Sequence, residues 1–154
     1  MYSKEEKRDM NIRFWDGFKE YMKKSKSSVL ARVNWLSYPT NVKDTYLRLH
    51  CTQSATAVRF DIQFKDKEIR SIFWEQLQEL KSLLTSHVHF PADWIEQMED
   101  TDGREISRIQ WESNEWSLYN EKDWRKIYNF LKERLIEFDQ FYQEYKEILI
   151  NLIK

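Results

Sequence analysis

The chain has 154 residues and a formal net charge of −1, so a single domain with a sizeable core is expected, and a general electrostatic pull on nucleic acid or acidic lipid is not. Aromatic residues make up 16% of it, which favours a packed core over disorder. One cysteine, Cys51, excludes an intramolecular disulfide framework, and two glycines are too few and too far apart for a Gly-rich phosphate loop.

The opening "MYSKEEKRDM" is charged and lacks the apolar run of a signal peptide, and no apolar stretch is long enough to span a membrane. A soluble, cytoplasmic protein is expected. Ser3 followed by Glu6 is a capping-box pattern, and Met10, Phe14, Phe18, Tyr21 and Met22 then recur at helical spacing. The basic run "KKSKSS" ends this helix. Three strands are expected next: Ala31 to Tyr38, Thr45 to Cys51, and a third within "TAVRFDIQFKDKE", Thr56 to Glu68. In the third, Val58, Phe60, Ile62 and Phe64 alternate with Arg59, Asp61, Gln63 and Lys65, which predicts one buried and one wet face. Asp66 is placed to cap a second helix with a stripe of Ile69, Ile72, Phe73, Leu77, Leu80 and Leu84. Strands over Asp93–Glu99 and Glu105–Trp111 flank "DTDGRE", a turn with Gly103 free to take positive φ. A short strand is expected near Trp116 to Tyr119.

From Asn120 onward the pattern is helical. Trp124, Tyr128, Leu131, Leu135, Phe138, Tyr142, Tyr145, Leu149 and Leu152 step by four and three. A helix of about 30 residues is roughly 45 Å long, more than a compact domain of this size spans from its centre. An overhanging end is therefore expected, with Tyr142, Tyr145, Leu149 and Leu152 packing against a second copy.

Candidate chemistry is sparse. The order helix, three strands, helix, strand is that of restriction-type nucleases, and Asp44 and Asp61 stand near the positions of two metal-binding acids. Two carboxylates can hold Mg²⁺ at a phosphodiester. The lysine expected two residues after the second acid is replaced by Gln63, with Lys65 one pleat further on. Alternation explains Asp61 more simply, as a solvated residue. His50, Cys51, His87 and His89 lack a paired-cysteine signature for zinc, and His50 and Cys51 point to opposite faces of a strand. Lys19, Lys23, Lys24, Lys26 and Arg32 form a basic cluster that suits phosphates, or merely complements the helix dipole.

"RFWDGFKEYM", "VNWLSY", "AVRFDIQF", "FWEQLQELK", "DWIEQM", "ISRIQW" and "NEKDWRKIYNFLKERLIEFDQFY" together resemble a bacterial domain-of-unknown-function family. Its members occur alone or C-terminal to a restriction-type nuclease domain. The resemblance implies an accessory or binding role in DNA-linked or defence systems, and it carries over no catalytic residue.

The expected architecture is α+β, in the order α-β-β-β-α-β-β-(β)-α. A mostly antiparallel sheet of five or six strands carries three helices, with residues 1–154 as one domain and 120–154 as the long C-terminal helix. Core positions are Phe14, Phe18, Trp35, Leu47, Leu49, Phe60, Ile62, Phe73, Leu77, Ile109, Leu131, Leu135 and Phe138. The expected function is a non-catalytic, homodimeric binding module with no cofactor or metal. The alternatives are a divergent Mg²⁺ nuclease using Asp44, Asp61 and Lys65, and a weak nucleic-acid binder.

Overall fold

The first helix, α1 (Lys4–Met22), starts where its capping box places it: Glu6 N–H donates to Ser3 Oγ at 3.1 Å and Ser3 N–H to Glu6 Oε1 at 3.0 Å. In this computed structural model, which describes residues 2–154, α1 buries Met10, Phe14, Phe18 and Met22, one residue per turn.

The next stretch departs from expectation. Ala31 to Tyr38 is no strand but an irregular excursion with one 3₁₀ turn, Trp35–Ser37. Asn34 explains it. Its side-chain oxygen takes Leu36 N–H at 3.2 Å and its carbonyl takes Ser37 N–H at 3.0 Å, so local bonds replace a ladder. Trp35 is buried all the same, its indole N–H donating to Ser25 O at 3.0 Å.

Strands β1 (Thr45–Cys51) and β2 (Thr56–Ile62) form an antiparallel hairpin in the register Leu47↔Phe60. Asp66 then caps α2 (Lys67–Glu79), accepting from Glu68 N–H at 2.8 Å. The expected single helix is two. Leu80, at φ −91° and ψ 1°, breaks the path before α3 (Lys81–His87). The stripe is also rotated. Arg70, Phe73, Trp74 and Leu77 face inward, while Ile69 and Ile72 are 38% and 50% exposed. Arg70 is tolerated inside because it donates to Phe64 O at 2.9 Å and pairs with Glu105.

β3 (Asp93–Glu99) and β4 (Glu105–Ser113) close the sheet around a turn in which Gly103 takes φ +76°. The Asp100 carboxylate fixes that turn by accepting from the N–H groups of Asp102 and Arg104, both at 2.9 Å. The sheet has four antiparallel strands, not five or six, in the order β1-β2-β4-β3. Trp116 to Tyr119 adds no strand. It is a turn, tied to the β1–β2 loop by Leu118 N–H on Thr52 O at 3.0 Å.

The last of the four helices, α4 (Trp124–Ile153), lies against β2, and α1, α2 and α3 pack on α4. Asn120 caps a 3₁₀ turn ahead of it, while the Asp123 carboxylate accepts from Ser117 N–H at 3.0 Å instead of capping α4. The expected core positions are buried, with Leu49 half-buried. Phe138 is the hub, 5.2 Å from Phe60, 6.0 Å from Trp111 and 5.4 Å from Tyr142 between ring centroids. Its packing fixes the helical face of the sheet, and thereby the other face.

Candidate functional site

Alternation along β2 sends Val58, Phe60 and Ile62 to the helices, and Arg59 and Asp61 to the opposite face. Pairing then sets neighbours. Asp61 lies between Tyr46 of β1 and Arg108 of β4, and Arg59 lies between Arg48 and Gln110. Three strands so bring Arg48, Arg59 and Arg108 side by side. A cleft of about 460 Å³ opens over them, walled by strand residues and by the β3–β4 turn, with no helix residue in its walls.

Asp61 is the floor of this cleft. Arg108 grips it with a fork, Nε to Oδ1 at 2.7 Å and Nη2 to Oδ2 at 3.1 Å, and Arg48 Nε stands 3.8 Å from Oδ2. The expectation of a solvated Asp61 is overturned, because the residue is 1% exposed. No second layer covers it. Arg108 reaches both carboxylate oxygens from the neighbouring strand, which alternation along one strand does not reveal. Arg59 donates Nε–H to Gln110 Oε1 at 2.9 Å, and the Arg48 guanidinium lies 4.4 Å from the centre of the Tyr46 ring. Arg104, reaching in from the turn, donates to Gln63 Oε1 at 3.3 Å and pairs with Asp100 at 3.4 Å.

The charges are separated. Arg48 and Arg108 approach one carboxylate on the floor, with Arg59 beside them, whereas Asp100 and Asp102 share Arg104 at the lip, next to Glu99. Burial, followed by the like charge of Arg108, lowers the Arg59 pKa. Burial, followed by the charge of Arg59, also lowers the pKa of His50. Burial is the larger cause in both cases; the neighbouring guanidiniums add to it, and Glu112 acts against it.

The other sequence-derived candidates fall elsewhere. Asp44 has φ +68° just before β1, and its carbonyl accepts from Gln63 N–H at 2.8 Å. Lys65 is exposed beyond the end of β2. Among the described residues, no group of three or more His, Cys, Asp or Glu side chains is placed to hold a metal ion. His87 and His89 have separate partners, Leu83 O at 2.9 Å and Glu137 Oε2 at 2.9 Å. Of the basic cluster, Lys19, Lys23 and Arg32 line a second cleft of about 370 Å³ with Trp35 and Leu36, while Lys24 and Lys26 stay outside its walls. On α4, Tyr142 and Leu149 are fully buried in the chain's own core. Tyr142 donates to Thr40 O at 2.6 Å. Tyr145 is half-buried, and Leu152 is 38% exposed.

Sequence reasoning missed Arg48, Arg59, Arg104 and Arg108 as site residues, though Arg59 was placed on the polar face of its strand. A signal was present, because Arg48, Arg59 and Arg108 each hold the polar parity of their strand. Using it required knowing that β4, not β3, pairs with β2. A family model described as a domain of unknown function (DUF4268) matches residues 10–146. No curated protein and no solved structure matches significantly.

Proposed function

The chain belongs to that family of domains of unknown function, and we propose that it is a non-catalytic binding module whose arginine-lined sheet face takes an anionic partner. The observation that carries this reading is a cleft lined by three arginines, two of them paired with one buried carboxylate, with no helix residue in its lining. Guanidiniums are weakly hydrated and present forked donors, which suits oxyanions. A nuclease using Asp61 would first have to strip it of Arg108, whose fork occupies both carboxylate oxygens. An accessory role beside a restriction-type nuclease in a bacterial DNA-linked or defence system fits an anion-binding module.

The test is a titration of the ¹⁵N-labelled protein with sulfate and phosphate. Amide shifts are expected on β1, β2 and β4, and Arg59→Gln is expected to weaken binding about tenfold, since a charged hydrogen bond contributes roughly 1.5–3 kcal/mol. Shifts confined to the end of α1 would favour a second reading, weak nucleic-acid binding there. That reading is supported by the meeting of Lys19, Lys23 and Arg32 at one cleft.

A further inference from the structure

We infer that the anion taken by this face is a doubly charged terminal oxyanion, chemically a phosphomonoester, and not an internal phosphodiester of a chain; this rests on the anion-binding reading above. The first ground is charge. Among the side chains that line the floor, Arg48, Arg59 and Arg108 stand against Asp61, an excess of two formal positive charges that Glu112, outside the lining, offsets in part. A phosphomonoester carries about −1.5 to −2 near neutral pH, while each diester unit carries one negative charge.

The second ground is donor geometry. Arg59 uses its Nε on Gln110, and among the described residues its two terminal nitrogens have no protein acceptor. Arg108 uses Nε and Nη2 on Asp61, which leaves Nη1, and Arg48 approaches Asp61 only through Nε at 3.8 Å. The fork on Asp61 holds Arg108 in place. The donors left over come from three neighbouring strands, an arrangement that suits several oxygens on one centre. A diester presents two charged oxygens and a monoester three.

The third ground is the lip. Glu99 at the end of β3 and Asp100 and Asp102 on the β3–β4 turn stand at the cleft's edge, and with Arg104 they bring the net formal charge of the whole lining to zero. A polynucleotide crossing the cleft would set its next phosphates against these carboxylates. A single terminal phosphate meets only the basic floor, and hydroxyl or amino groups on the ligand's body would find acceptors at the lip.

Isothermal titration of the full chain with methyl phosphate, dimethyl phosphate and a short oligothymidylate lacking terminal phosphates tests this at pH 7.5 and constant ionic strength. Methyl phosphate is expected to bind about tenfold or more tighter than dimethyl phosphate, as one extra charge in a half-buried site allows. The oligothymidylate is expected to bind no better than dimethyl phosphate. Adding a 5′-phosphate to it should restore binding if the ligand is a nucleic-acid end, and leave it weak if the ligand is small; either result keeps the monoester assignment. Arg59→Gln should abolish the preference and Lys24→Gln should leave it intact. If Arg59→Gln unfolds, Arg48→Gln, at an exposed side chain, replaces it. Equal binding of the two esters, or tighter binding of the 5′-hydroxyl oligothymidylate, would overturn the monoester assignment while the anion-binding reading stands. Failure of every anion, sulfate included, would remove both.

Discussion

Two buried carboxylates, Asp61 and Asp139, are each 1% exposed and satisfied in opposite ways. Asp61 takes guanidiniums. Asp139 takes neutral donors: Ser28 N–H at 2.6 Å, Tyr38 O–H at 2.6 Å and Gln143 Nε2 at 3.3 Å. Asp139 thereby pins the irregular excursion to α4, and burial together with its carboxylate pushes the Tyr38 pKa up. Cys51 is the residue with the plainest test. Burial pushes its thiol up to about 11, from an ordinary value of 9.0. A nucleophilic cysteine needs the opposite shift. Alkylation by iodoacetamide at pH 8 is expected to be far slower in the native than in the unfolded protein; equal rates would contradict the placement. The folded pKa lies above the unfolded one, so the thiol's contribution to stability is fully present below pH 9.0 and is lost as pH rises through about 11.

At the scale of elements, α1 and α4 meet at Gly17. A methyl group there would overlap the Tyr128 hydroxyl, which donates to Phe14 O at 2.6 Å. In an open helix, replacing glycine by alanine gains about 1 kcal/mol. Here the tyrosine ring must be displaced, and Gly17→Ala is expected to lower stability by about 1–3 kcal/mol in urea denaturation. Tyr128→Phe in the same chain should recover much of that loss. A neutral or stabilising Gly17→Ala would mean that the two helices do not approach as described. The helix starts were legible because Ser3 and Asp66 act on N–H groups within three residues. The break at Leu80 and the burial of Arg70 were not, because they depend on where β4 and α4 stand.

For the whole molecule, the apolar surface that α4 leaves open to a second copy is narrower than periodicity implied. With Tyr142 and Leu149 inside the chain's own core, a second copy would rest on Ile148 and Leu152, which are 43% and 38% exposed. Stable interfaces bury about 1,200–2,000 Å², more than two such side chains supply. Light scattering over a wide concentration range should show a dimer only at the high end, and Leu152→Glu should abolish it without changing thermal stability. Monomer at every concentration would end this reading.

Readable from the sequence alone were α1, α4, the hairpin of β1 and β2 with its apolar parity, and the Gly103 turn. These follow from interactions spanning a few residues, where periodicity and capping act directly. The tertiary structure alone decided that Ala31 to Tyr38 is not a strand, that the apolar end of α4 belongs largely to its own core, and that Asp61 is buried. It also decided the strand order β1-β2-β4-β3, which brings Arg48, Arg59 and Arg108 together. The physical reason is that alternation fixes the face on which a side chain lies, whereas pairing between strands about 50 residues apart fixes its neighbours, and those neighbours make the charge of the cleft.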